Sequence, residues 1–75
     1  MKITYDPEVD ALYIQFRHLA DGTGRCRELS DELTADYDSE GKLAGIEVLD
    51  ASVVLGDELQ RMIVEVSPVL TKKTA

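Results

Sequence analysis

Tryptophan is absent and Phe16 is the only phenylalanine, so any core must be built from aliphatic side chains and three tyrosines. In a chain of 75 residues such a core is thin, because a small domain buries a smaller share of its surface than a large one. A single domain is expected at this length, and self-association is expected to supply burial that a single sheet and one helix lack. Basic residues are scarce as well: eight Lys and Arg stand against fifteen Asp and Glu, for a net charge of −7. Arg17, Arg25, Arg27 and the Lys72-Lys73 pair form no contiguous face that could neutralise phosphates, which argues against nucleic acid as a partner. A small basic protein is the natural electrostatic complement. Cys26 stands alone, which rules out an internal disulfide and points to a reducing cytoplasm. His18 is the only histidine, so a histidine-cysteine metal cluster is excluded by count. No apolar run reaches membrane-spanning length. Met1 to Thr4 leads into a strand pattern without the charged and apolar regions of a signal peptide, so a cytoplasmic protein with no membrane partner is expected.

Period-two alternation is what the sequence does supply. Lys2 to Tyr5 and Leu12 to Arg17 alternate on either side of Asp6-Pro7-Glu8-Val9-Asp10-Ala11, whose Asp-Pro start is a turn signal, and they predict a hairpin. Ile3, Tyr5, Leu12, Ile14 and Phe16 fall on its inner face, while Lys2, Thr4, Tyr13, Gln15 and Arg17 face water. The pattern dissolves from His18 to Asp31, where Asp21-Gly22 marks a turn. Arg25 to Leu29 reads as loop with some capacity for a short edge strand. Glu32 to Asp38 and Lys42 to Leu49 form a second hairpin. Pairing Tyr37 with Lys42 leaves the four-residue turn Asp38-Ser39-Glu40-Gly41, with Gly41 at positive φ, and gathers Leu33, Ala35, Tyr37, Ala44, Ile46 and Val48 on one face. Leu55, Leu59, Met62 and Ile63 then share one helical face, and Asp57 with Gln60 resembles a capping box that starts the helix near Asp57. The β-branched run Ile63-Val64-Glu65-Val66 before Pro68 leaves helix or strand open there. The expected architecture is α+β: two consecutive antiparallel β-hairpins in a small meander sheet, with one C-terminal helix packed on one face. It forms a single domain over 1–70, with a disordered tail over 71–75.

Three kinds of chemistry can be weighed. Asp36, Asp38, Glu40, Gly41 and Glu47 fall at positions 1, 3, 5, 6 and 12 of a calcium-binding EF-hand loop, with Leu43 at the apolar position 8. Such a loop needs helices on both sides, whereas both flanks here alternate with period two, so an acidic hairpin turn is the expected reading. Carboxylate pairs such as Asp6 with Glu8 or Asp36 with Asp38 sit in or beside turns, where solvation removes the pKa separation that acid-base catalysis needs. Cys26 has no activating base fixed beside it, and His18 lies across a glycine-containing loop from it. No catalytic, metal or cofactor residues are assigned. Apolar residues on the wet face remain: Tyr13, Leu43 and Leu49, joined by Val53 and Val54, form a candidate interface that closes a homodimer or receives a partner chain.

The stretch Tyr5-Asp6-Pro7-Glu8-Val9-Asp10-Ala11-Leu12-Tyr13-Ile14, then Asp36-Tyr37-Asp38 through Gly41, then Gly45-Ile46-Glu47-Val48-Leu49-Asp50-Ala51-Ser52, resembles the bacterial and archaeal family known as domain of unknown function 2283. The resemblance covers most of the first 52 residues. It implies a small α+β domain without an established enzymatic activity and with no catalytic residues to carry over. Some relatives are thought to be encoded beside small toxin-like proteins, which implies an antitoxin or accessory role that agrees in sign with the acidic charge. Two classes of function are therefore expected. The first is a protein-binding or self-associating module, with an antitoxin-like or accessory role toward a small basic protein as its sharper form. The alternative is a small-ligand or metal binder, or an enzyme, that uses the carboxylates of the turns.

Overall fold

The computed structural model describes residues 1–19 and 24–67. Five strands, β1 (Lys2–Asp6), β2 (Ala11–Gln15), β3 (Arg25–Glu28), β4 (Leu33–Tyr37) and β5 (Leu43–Leu49), form one antiparallel sheet in the order β1-β2-β5-β4-β3. A short helix, α1 (Ala51–Leu55), runs into a 3-10 turn over Gly56–Gln60. The α+β class is as expected, but the sheet is not two hairpins laid side by side in chain order. Strand β5 sits between β2 and β4, and a fifth strand, β3, occupies the far edge. The reason lies in composition. β2 and β5 each carry two large aliphatic residues on the same face, Leu12 with Ile14 and Ile46 with Val48, and pairing these strands at the centre brings the four together.

The first hairpin forms as its pattern predicts: Ile3 opposes Ile14 and Tyr5 opposes Leu12. Asp6 starts the turn by accepting a hydrogen bond from the Glu8 amide at 3.0 Å. Asp10 closes the turn at φ 54, a left-handed conformation that aspartate tolerates better than most residues. The second hairpin departs from its expected register. Tyr37 opposes Leu43 rather than Lys42, and beyond an irregularity at Asp36/Tyr37 the ladder runs Asp36–Gly45, Ala35–Ile46, Thr34–Glu47 and Leu33–Val48. Asp38 is responsible. Its amide donates to the Lys42 carbonyl at 2.8 Å, and its Oδ1 accepts from the Glu40 and Lys42 amides at 2.9 Å each, so the turn closes at Asp38 itself. Gly41 supplies the positive φ, at 83°. Along Leu33–Asp36 the ladder is displaced by two residues from the expected one. An even displacement preserves the faces, so Leu33, Ala35, Ile46 and Val48 still share a side.

Arg25–Glu28 is an edge strand that pairs with Thr34–Tyr37, where a loop with some capacity for a short edge strand was expected. All four of its residues are exposed, so it has no buried face to impose alternation, and its charges suit a sheet edge. The helix also begins earlier than expected, at Ala51 rather than near Asp57, and Asp57 makes no side-chain cap. Asp50 adopts φ 51, and the Ser52 amide donates to Asp10 Oδ1 at 3.0 Å, so the cap comes from the distant first turn. Gly56, at φ 58, ends the α-helical turns. The chain leaves the 3-10 turn at Arg61 with extended dihedrals of −136° and 123°, and residues 61–67 join no ladder and no helix. The Asp21-Gly22 turn and the tail over 71–75 lie outside the described residues.

Buried apolar residues among those described are Ala11, Ala35, Ala44, Val48 and Ala51, and no large side chain is fully enclosed. The core is thus an alanine-rich seam along β5. Around it, Leu12, Ile14, Leu33 and Ile46 are only half-buried.

Candidate functional site

Asp6, Asp10, Asp36 and Asp38 are each engaged in holding the fold. Asp10 Oδ1 accepts from the Tyr5 hydroxyl at 2.7 Å, and Asp10 Oδ2 accepts from the Ser52 hydroxyl at 2.6 Å. These bonds, with Ser52 the stronger influence and Tyr5 next, hold the Asp10 carboxyl below its ordinary value, while the same contact raises the Tyr5 phenol. Asp38 accepts the amides of Lys42 and Glu40 and a 3.1 Å contact from Arg17 Nη1; the Lys42 amide leads in lowering its pKa. Asp36 Oδ2 accepts from the Tyr13 hydroxyl at 2.8 Å. Asp36 and Asp38 are therefore drawn into separate networks, and no group of three or more metal-capable side chains gathers among the described residues.

Tyr13 reaches Asp36 by crossing strand β5 at Gly45. A Cβ at Gly45 would overlap the Tyr13 hydroxyl and lie 2.7 Å from its Cζ and 2.9 Å from the Ile14 carbonyl oxygen. Glycine leaves the space over β5 that the hydroxyl end of the Tyr13 ring occupies. Burial, followed by the Asp36 hydrogen bond, pushes the Tyr13 phenol up to about 12. On the next strand Cys26 faces Asp36, and hydrogen bonding to that carboxylate raises its thiol. A raised thiol beside a carboxylate is the opposite of what a nucleophile needs.

Of the candidate interface residues, Tyr13 is half-buried and tied to Asp36. Leu43 and Leu49 are exposed at the two ends of β5, on the order of 20 Å apart at strand rise, with Gly45 and Glu47 between them. Val53 and Val54 are exposed on α1, at 81% and 47%. Alternation places Asp36, Glu47 and Glu28 on this same sheet face, so its isolated apolar residues stand in an acidic setting.

The sequence pattern did not anticipate the opposite face. There Ile3, Leu12 and Ile14 of the sheet, with Leu55, Leu59 and Met62 of the C-terminal segment, line an open groove of about 420 Å³. The expected helical face of Leu55, Leu59, Met62 and Ile63 does not form, because α1 ends at Leu55, Leu59 lies in the 3-10 turn and Met62 and Ile63 lie beyond it. Leu55, Leu59 and Met62 nonetheless line the same groove. Because α1 and its 3-10 extension span only Ala51–Gln60, they cover one end of the sheet and leave Ile3, Tyr5 and Phe16 at 36–37% exposure. The signal was present in the sequence as a surplus of inward-facing large residues on the strands over what one short helix can cover.

An antiparallel five-stranded sheet with a short C-terminal helix, latched by a Tyr-Asp-Ser cluster and a Tyr-Asp bridge over glycine, defines a small α+β domain whose polar residues serve the fold. The chain belongs to the family described as Protein of unknown function (DUF2283), whose family model matches residues 2–52. Within the matched span, Tyr5, Asp10 and Ser52 form the latch, Tyr13, Asp36 and Gly45 the bridge, and Asp38 and Gly41 the turn. No curated protein and no solved structure matches the chain.

Proposed function

We propose that this protein is a binding module that acts by associating with protein through the apolar face of its sheet, rather than by chemistry. The observation that carries this reading is the exposure of Ile3, Tyr5 and Phe16 beside an open apolar groove, in a domain that fully encloses no large side chain among those described. The engagement of the aspartates in structural hydrogen bonds weighs against the alternative of a carboxylate-based enzyme or metal binder. Sedimentation equilibrium between roughly 1 and 200 µM, a range that brackets transient association, tests the reading. A mass above that of the 8.3 kDa chain is expected, falling toward it in the Ile3→Lys/Phe16→Lys variant, which spares the Tyr5–Asp10 hydrogen bond.

The acidic face supports a second occupant. Asp36, Glu47 and Glu28 accompany Leu43, Leu49 and Tyr13 there, and with a net charge of −7 this surface suits a small basic protein, as an antitoxin-like role requires. Val53 and Val54 extend the candidate surface onto the helix. Fluorescence anisotropy with a labelled Lys- and Arg-rich peptide should show binding that weakens as salt rises. A protein that stays at 8.3 kDa at the highest concentration and binds no such peptide at low salt overturns both forms of the proposal.

A further inference from the structure

Residues 61–67, entered at Arg61 with extended dihedrals, are a strand-capable stretch that joins no ladder among the described residues. Met62, Val64 and Val66 alternate with Arg61, Glu65 and Ser67 apart from Ile63, which is the pattern of a half-buried strand. Yet Met62, Ile63, Val64 and Val66 are 62–83% exposed. β-branched residues of this kind belong on a pleated, partly buried surface.

The same molecule carries an acceptor. β1 is an edge strand whose five residues are all exposed, so one side of its backbone has no ladder. The other edge, β3, is defended by Arg25, Arg27 and Glu28, whereas Ile3, Thr4 and Tyr5 fill the middle of β1 without charge. Arg61 and Met62 already stand in the groove beside Ile3, so the segment departs from the sheet close to this undefended edge. It makes no ladder with the β1 of its own chain.

We infer that the C-terminal segment Met62–Val66 of a second copy of this chain adds to the β1 edge and covers the apolar groove, and that the exchange is mutual. The inference rests on the binding-module reading above and names its occupant. A mutual exchange is isologous and closes at two subunits, because each copy spends its one donor segment and fills its one acceptor edge. The area fits as well. Ile3, Tyr5, Phe16, Met62, Ile63, Val64 and Val66 together expose on the order of 700 Å², close to the ~800 Å² per partner of a standard stable interface. Main-chain hydrogen bonds along the edge would supply affinity, and the alternate side chains Met62, Val64 and Val66 would supply register.

Val64→Pro tests this directly. It removes a ladder amide at a site that is 78% exposed and in no ladder, so the domain itself is left intact. Sedimentation equilibrium of the full chain should give a dimer whose dissociation constant rises at least tenfold in the variant. Amide hydrogen exchange should show alternate amides within Ile63–Val66 protected in the dimer and unprotected once dilution yields monomer. A wild-type dimer that Val64→Pro leaves unchanged overturns strand exchange while sparing an interface elsewhere on the apolar face. A wild-type monomer at 200 µM overturns the inference, and so does protection of these amides in the monomer, which would place the strand on its own chain. Val64→Thr, which keeps the amide and the β-branched shape, should remain dimeric.

Discussion

Gly45→Ala probes the centre of the sheet with a single methyl group. The new Cβ meets two obstacles of different character. The Tyr13 hydroxyl and ring can swing away, but only by breaking the 2.8 Å hydrogen bond to Asp36, and hydrogen bonds to charged groups contribute about 1.5–3 kcal/mol. The Ile14 carbonyl, 2.9 Å from the same Cβ, is backbone and moves only if β2 and β5 separate; such overpacking costs about 1–3 kcal/mol. Against these stands a gain of about 0.5–1 kcal/mol, because alanine loses less conformational freedom on folding than glycine. The net loss is roughly 2–4 kcal/mol, a large share of the ~4–11 kcal/mol available to a chain of 75 residues. Thermal denaturation followed by circular dichroism should show a fall in Tm of about 8–32 °C, at 4–8 °C per kcal/mol for a domain of this size. Tyr13→Val removes the movable obstacle and leaves the fixed one, so the two substitutions should couple by at least ~1 kcal/mol in a double-mutant cycle. A Gly45→Ala cost below ~0.5 kcal/mol, or additivity with Tyr13→Val, would refute the placement of Tyr13 over the glycine.

Asp10→Ala removes the acceptor of three hydrogen bonds from Tyr5 and Ser52, and should lower the Tm with early loss of protection at Ala51–Leu55 in hydrogen exchange. Asp10 and Asp38 both titrate below the ordinary carboxylate value in the folded state, so their stabilisation is complete above that value and is lost as pH falls through their folded pKa values; Asp10→Asn should flatten the acid limb of a stability-pH curve. Tyr13 titrates upward, so its contribution is complete below the ordinary phenol value near 10 and is lost as pH rises toward about 12; absorbance titration should find one phenolate appearing near 12, absent in Tyr13→Phe. Gly41→Ala meets no neighbour but must adopt φ 83°, and should cost about 1–2 kcal/mol in chemical denaturation without altering the hairpin register.

Alternating segments were legible because one buried face writes itself into every second residue. Ile3 to Ile14 and Leu33 to Val48 therefore yielded two hairpins and their inner faces. β3 was not legible as a strand for the same reason in reverse: Arg25, Cys26, Arg27 and Glu28 are all exposed, and an edge with no buried side has no period to show. The helix start was obscured because its cap, Asp10, lies 42 residues before Ser52, and local capping rules look only three residues ahead. At the carboxylates, spacing suggested a calcium loop, while the strand periodicity of the flanks correctly pointed to a hairpin turn. Sequence spacing could not show that Tyr13 and Asp36 reach each other across an intervening strand. The open groove depended on how little of the sheet so short a helix covers, which follows from where Gly56 ends it.

The position of β5 between β2 and β4 sets an order of events during folding. Each hairpin closes through a short turn, whereas joining β2 to β5 closes a loop of about thirty residues and costs ~3 kcal/mol in chain entropy. The hairpins can therefore form early and independently, with their union as the demanding step. The contact of Asp10 with Ser52 exists only after that union, and α1 has no local cap to hold it beforehand. Weakening this latch should accordingly hasten unfolding and leave the folding rate almost untouched. The Asp10–Ser52 latch thus governs how long the native state lasts more than how fast it is reached.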